Sequence, residues 1–295
     1  MPLSDGRPAA GDLARGLVLR GAGVGVLGGL VAFVFARIFA EPLVQQGIDY
    51  EGGRSEAEAA LAAAAGAGHE HEGPELFSRA VQANLGTGVG VVAFGLAVGC
   101  FFAVAYCLAL GRVGRVSARS LSLLVAGAGF VLIYLVPFLK YPANPPAVGN
   151  GATIAQRAGL YGVMVVASVV FGAGALWLGR RLAARFGSWT ATVLAGLAFV
   201  VAIGVVMATL PSLGSLGTGV GDTGALQTET PQPLRDSAGA IVYPGFDADV
   251  LYWFRLYSVI AQAILWGVIG IVFAPLAERL VGRPSAVGSG VGAER

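Results

Sequence analysis

Leu121 to Leu139 reads LSLLVAGAGFVLIYLVPFL, and Lys140-Tyr141-Pro142-Ala143-Asn144-Pro145-Pro146 follows it. The first stretch carries no charge over 19 residues, and about 20 apolar residues cross the hydrocarbon of a bilayer. A cation, a phenol, an amide and three prolines then stand where that helix meets water. Proline lacks the N–H that would continue a helix, and its ring clashes with the preceding turn. The segment therefore leaves the membrane as a stiff, extended turn. Lipid cannot satisfy its free carbonyls, so it should pack on protein or line a cavity. A plain helix stop with a snorkelling lysine is the simpler alternative.

The rest of the chain agrees with a membrane setting. It is 56% hydrophobic and 12% charged, with a mean hydropathy of +0.74. Soluble domains carry about 25% charged residues. The 46 glycines suit close helix packing in lipid. A net charge of +2 is no nucleic-acid signature. Cys100 and Cys107 share one helical face inside an apolar run. Their spacing fits neither a zinc nor a haem motif, and a disulfide along one helix is geometrically disfavoured. They read as packing residues.

Six apolar runs are long enough to span: about 17–39, 86–110, 121–139, 159–178, 190–210 and 251–274. The expected fold class is all-α, a polytopic membrane helical bundle of six spans within residues 17–280. Tails 1–16 and 281–295 flank it. The first run follows a charged N-terminus without a clear cleavage site and reads as a retained span. Twelve basic residues flank the spans on one side and seven on the other, out of 19. Basic loops stay cytoplasmic, which puts both termini inside a cytoplasmic membrane. Loops 40–85 and 211–250 then lie outside. The first contains an Ala/Glu-rich stretch, 56–65, with the makings of a short helix. The second is rich in Gly, Ser, Thr and Pro and reads as flexible.

Polar chemistry collects on that outer side. His69-Glu70-His71-Glu72 interleaves the chain's only two histidines with carboxylates. Imidazole and carboxylate ligands suit Co²⁺, Ni²⁺ and Zn²⁺. Two histidines cannot close a site, but with Glu70, Glu72 or a partner's ligands they form a candidate weak capture site. A solvated charge run is the alternative. After Pro74, the residues Glu75, Arg79 and Gln82 share a face with the acid N-terminal to the base. In the last span Arg255, Gln262 and Trp266 recur on one face. Arg and Gln within a membrane helix are costly unless they meet protein or water. Tyr252 and Trp253 read as an interfacial belt. No nucleophile elbow, Walker loop or His-Glu-x-x-His occurs, and the Gly-rich stretch 21–29 lies inside a span with no strand before it.

Several features coincide. They are Glu41-Pro42, His69-Glu70-His71-Glu72, Arg79-x-x-Gln82, Pro137-Phe138-Leu139-Lys140-Tyr141-Pro142-x-Asn144-Pro145-Pro146-Ala147-Val148-Gly149, and Trp253-Phe254-Arg255-Leu256 with Gln262 and Trp266. Together they resemble the CbtA family, the large membrane subunit of a cobalt uptake system. The resemblance covers nearly the whole chain, and the Lys140-to-Gly149 string is its most specific part. It implies cobalt transport, commonly tied to cobalamin synthesis, with Co²⁺ as substrate and no permanently bound cofactor. It also implies a small companion subunit with one span and a His-rich tail. The Ala-rich insert near 56–67 and the Gly-rich loop near 212–226 have no counterpart in it.

The expected function is a permease subunit for a divalent transition metal. Glu41, Arg79, Gln82, Lys140, Tyr141, Pro142, Asn144, Pro145, Pro146, Arg255, Gln262 and Trp266 are the expected structural and gating residues. Lys140 and Arg255 would repel Co²⁺, so they should tie helices together or neutralise Glu41 and the loop acids. Lys140, Arg79 and Arg255 are expected to donate to the freed carbonyls, and Asn144 to cap a neighbouring helix. Two alternatives stay open. One is an accessory membrane subunit that transports nothing alone. The other is a membrane enzyme on a lipid or cofactor precursor, with Lys140 and Arg255 on an anionic head group. Membrane lipid is a partner under every reading.

Overall fold

The structure is a computed structural model that describes residues 10–66, 81–114, 116–216 and 228–281. Its described α-helices are α1 (Ala10–Phe39), α2 (Glu41–Ala64), α3 (Thr87–Ala109), α4 (Ala118–Gly129), the short α5 (Val136–Lys140), α6 (Ile154–Thr209) and α7 (Ala248–Val281). π-helical turns precede α3 at Gln82–Gly86 and join α4 to α5 at Phe130–Leu135. Strands β1 (Leu234–Arg235) and β2 (Ile241–Tyr243) form an antiparallel hairpin. The fold class is all-α and membrane-helical. Among the described residues, five continuous helices are long and apolar enough to cross a membrane. One of them, α6, is two legs. Gly187 breaks it with φ 76° and ψ 164°, a conformation open chiefly to glycine. Gly179 on the first leg lies beside Ala191 and Ala195 on the second, so the helix folds back on itself. Six legs result.

The chain forms two compact units. The first comprises residues 10–33, 86–129 and 263–281 of the described chain. Its packing rests on absent side chains. A Cβ at Gly25 would lie 2.2 Å from the Gly95 carbonyl oxygen, and one at Gly99 2.2 Å from that of Gly21. No side chain tolerates such distances, so α1 and α3 touch backbone to backbone, as small residues permit in lipid. Phe102, Tyr106 and Phe273 fill the space beside them, with Phe273 edge-on to both rings at 5.0 and 5.1 Å. The buried Ser122 hydroxyl donates to the Gly270 carbonyl at 2.7 Å. Trp266 is buried against Gly129, where a Cβ would fall 2.2 Å from its ring.

Among the described residues, the second unit comprises 34–66, 81–85, 130–216 and 228–262. In its membrane portion Val136, Tyr141, Met164 and Ile203 form a core with Tyr161, Phe199 and Met207 packed around it. Pro137 has no N–H for the Ile133 carbonyl, its i−4 partner. The Tyr161 hydroxyl serves that oxygen at 3.3 Å, and the Ser168 hydroxyl donates to the neighbouring Leu132 carbonyl. The distorted helix is thus held by side chains of α6, the usual remedy for a proline within a membrane helix.

Two expectations about the loops need correction. The Ala/Glu-rich stretch 56–65 is only the end of a helix that starts at Glu41, with Pro42 in its first turn. Pro42 suits that position, but α2 has tertiary support that composition hides. Gly47 lies under Pro146, Gly53 under the Tyr243 ring, and the Tyr50 hydroxyl donates to the Pro244 carbonyl at 3.0 Å. The described part of the loop read as flexible includes a hairpin and a small core against α2. Asp236 closes the β1–β2 turn by accepting from the backbone N–H groups of Ala238 and Ala240 at 2.9 and 2.8 Å. Val148, Phe246 and Val250 then form a small core with Leu43 and Tyr50.

Candidate functional site

The Lys140–Pro146 turn leaves α5 and is pinned at three points. Tyr141 is buried, and its hydroxyl donates to the Pro211 carbonyl at 2.9 Å. Burial raises the Tyr141 pKa, so the phenol stays a donor at neutral pH. The Arg255 side chain donates through Nε to the Ala143 carbonyl at 3.3 Å and through Nη2 to Asn144 Oδ1 at 2.7 Å. Beyond the turn, Pro146 rests on Gly47 of α2. Lys140 is the last residue of α5, and its ammonium lies 5.8 Å from the centre of the Tyr141 ring.

Asn144 does not cap a helix. Its amide nitrogen donates to Glu229 Oε2 at 2.9 Å while its oxygen accepts from Arg255. The residue is a two-way bridge between opposite charges, which uses both ends of its amide. The other carboxylate oxygen, Glu229 Oε1, is shut off from solvent and ion-paired with Arg157 Nε at 3.3 Å, outside hydrogen-bond geometry. The Glu229 backbone carbonyl also accepts from the Gly149 N–H at 3.1 Å. One acid therefore joins the Asn144–Gly149 turn to two arginines on different helices. Both members of the Arg157–Glu229 pair are largely buried, with side chains 24% and 12% exposed. A charge in such a place is costly to leave uncompensated.

The turn itself is strained. Ala147 has φ 69° and Gly149 φ 118°. Glycine accepts the left-handed region freely, but alanine does not. Space is as tight as the dihedral, since a Cβ on Gly149 would lie 2.5 Å from Arg157 Nη1. Strain of this kind clusters at functional sites. Above the turn lies a cavity of about 460 Å³, lined by Pro145 to Gly151, by Arg157, and by Glu51, Arg54 and Glu58 of α2. Arg54 donates to the Gln232 carbonyl at 2.8 Å and pairs with Glu58 at 2.9 Å.

The structure thus brings Tyr141, Pro142, Asn144, Pro145, Pro146 and Arg255 into one network, with Lys140 at its edge. The acid that faces Arg255 is Glu229, one of the loop acids expected to neutralise it, while Glu41 opens α2. Gln262 is half buried in α7, and Trp266 belongs to the packing of the other unit. His69, Glu70, His71, Glu72 and Arg79 lie outside the described residues, as does the Gln82 side chain. Among the described residues no three His, Cys, Asp or Glu side chains are grouped to hold a metal ion. Arg157 and Arg54 were missed, and Glu229 was expected only as one of several loop acids. Arg157 carried one usable signal: a cation in the first turn of a helix opposes the macrodipole, so it calls for its own anion.

A family model described as "Probable cobalt transporter subunit (CbtA)" matches residues 14–278. The chain belongs to the CbtA family. Searches of curated proteins and of solved structures gave no match. The CbtA match takes in all six legs and every member of the Arg157–Glu229–Asn144–Arg255 network. The chain is thus a multi-pass membrane protein of a family described as a probable cobalt transporter subunit.

Proposed function

We propose that this CbtA chain is the permease subunit through which Co²⁺ enters the cell, in support of cobalamin synthesis. Both termini are cytoplasmic in this reading, and a small one-span, His-rich subunit works beside it. The observation that carries it is the sidedness of charge. With six legs alternating, thirteen of the 17 acidic residues fall on the side of loops 40–85 and 211–250, with seven of the 19 basic ones, a balance of minus six. The other side holds four acids and twelve bases, a balance of plus eight. A negative outer face concentrates cations and raises their capture rate. His69 and His71 lie within that acidic side and would add weak, exchangeable ligation.

Arg157, Arg255 and Lys140 do not bind the metal in this scheme. The two arginines hold the outer turn closed on Glu229, and cargo passes when the turn moves. Radioactive cobalt uptake, in cells with and without this chain and normalised to inserted protein, tests the reading. Uptake that needs the chain supports the permease. Uptake that persists in full without it, once the companion is present, would make the chain an accessory subunit.

A further inference from the structure

We propose that α7 carries a phospholipid site, with the lipid phosphate on Arg255. Ala248, Leu251, Tyr252, Arg255, Leu256 and Val259 recur at three- and four-residue steps and form one face of α7. With Phe138 of α5 they line a groove of about 350 Å³, within the range of ligand pockets. Arg255 is the sole charged residue among them. The face continues above it to Ala248 and below it to Val259. At 1.5 Å per residue, Arg255 lies about 10 Å below the start of α7.

The neighbours set the depth. Tyr252 and Trp253 are 59% and 44% exposed, and such rings settle at the level of lipid head groups. Arg255 sits one turn deeper, where phosphate and glycerol follow the head group. Its Nε and Nη2 are committed to Ala143 and Asn144. Nη1 has no hydrogen-bond partner among the described residues and is free to donate to a phosphate oxygen. Leu256, Val259 and Phe138 below it are apolar walls for the first part of an acyl chain. Charge and depth therefore match a lipid with a phosphate at the interface and a tail beneath it.

The site also couples lipid to the outer turn, because the same guanidinium holds both. A bound phosphate would draw on Arg255 while Nε and Nη2 keep the turn in place.

The test uses the full chain in mixed micelles, with native mass spectrometry to count retained lipid during graded delipidation. Phosphatidylglycerol and phosphatidylcholine are compared with diacylglycerol, which has the same tails and no phosphate. The wild type should retain one phospholipid, and diacylglycerol at least tenfold less. Leu256→Trp, which fills the groove and leaves the Arg255 side chain unsubstituted, should cut retention about tenfold. Val259→Phe repeats the test at the lower wall should the first variant fold poorly. Leu124→Trp, at a residue that is 59% exposed in the other unit, should retain lipid like the wild type. Equal retention of diacylglycerol, unchanged retention in both groove variants, or a co-purifying one-span protein that protects the groove in place of lipid would overturn the proposal. Cobalt uptake is not read in this test, so its outcome is independent of the permease reading.

Discussion

At the scale of the residue, two neighbours in the outer turn make opposite predictions. Ala147 sits at φ 69°, where a side chain costs about 1–2 kcal/mol. Glycine would remove that cost but loses about 0.5–1 kcal/mol to its greater freedom when unfolded. Ala147→Gly should therefore leave the thermal midpoint in detergent unchanged or slightly raised. Gly149→Ala meets a left-handed φ and the Arg157 guanidinium together. It should lower the midpoint by several degrees and release Glu229 from its ion pair. If Gly149→Ala is as stable as wild type, the turn is not held as described. A second residue-scale prediction concerns the histidine pair. Protonated imidazole cannot ligate, and free histidine titrates near pH 6.5. His69→Ala with His71→Ala should slow cobalt uptake at low metal and near pH 7.5, and should matter little at saturating metal or at pH 5.5. Equal loss under all four conditions would give the pair another role. Glu229 was the least legible of these residues. It lies among Thr, Pro and Gly, and its partner Asn144 is 85 positions away. No local period connects them, so only the folded chain reveals the bridge.

At the scale of the element, hydropathy alone pointed to an all-α membrane bundle, because lipid demands long uninterrupted apolar runs. The break in α6 was legible for the same reason, since two separate runs flank Gly187. The π-helical stretch Phe130–Leu135 was not legible, because an inserted residue changes backbone geometry and leaves composition untouched. Nor was α2, whose helix depends on contacts with residues near 146, 232 and 243. The abundant glycines were legible as close packing but not as a particular pair of helices. The α1–α3 contact makes that choice testable. Gly25→Ala and Gly99→Ala each place a methyl against a facing carbonyl oxygen at 2.2 Å. The helices must part, and both variants should show thermal midpoints lower by several degrees. Gly23→Ala, with nothing within 4 Å of its Cβ, should be neutral. Similar behaviour of all three would mean that α1 and α3 do not meet through these glycines.

At the scale of the whole molecule, the proposed permease depends on a charge difference across the membrane. In the proposed reading the basic bias sets the orientation through the positive-inside rule, and the acidic bias sets the collecting face. The two are linked, because one placement of the termini sets both. Reporter fusions after Arg185 should therefore read cytoplasmic and fusions near Thr228 extracytoplasmic, and the reverse would remove the collecting face along with the orientation. Electrostatic collection also has a kinetic signature. Screening shortens to about 8 Å near physiological ionic strength and to about 3 Å at 1 M. Attraction between the acidic loops and a divalent cation over longer distances should vanish across that range. Uptake at metal well below saturation should fall severalfold as an inert monovalent salt rises from about 0.01 to 0.5 M, while the maximal rate holds. Replacing Glu51 and Glu56 by glutamine should flatten the dependence, since both are exposed acids of α2, the helix that the proposal puts on the collecting side. A maximal rate that falls in parallel with the low-metal rate would place the salt effect on the moving turn, where Arg157 and Glu229 meet, and not on capture.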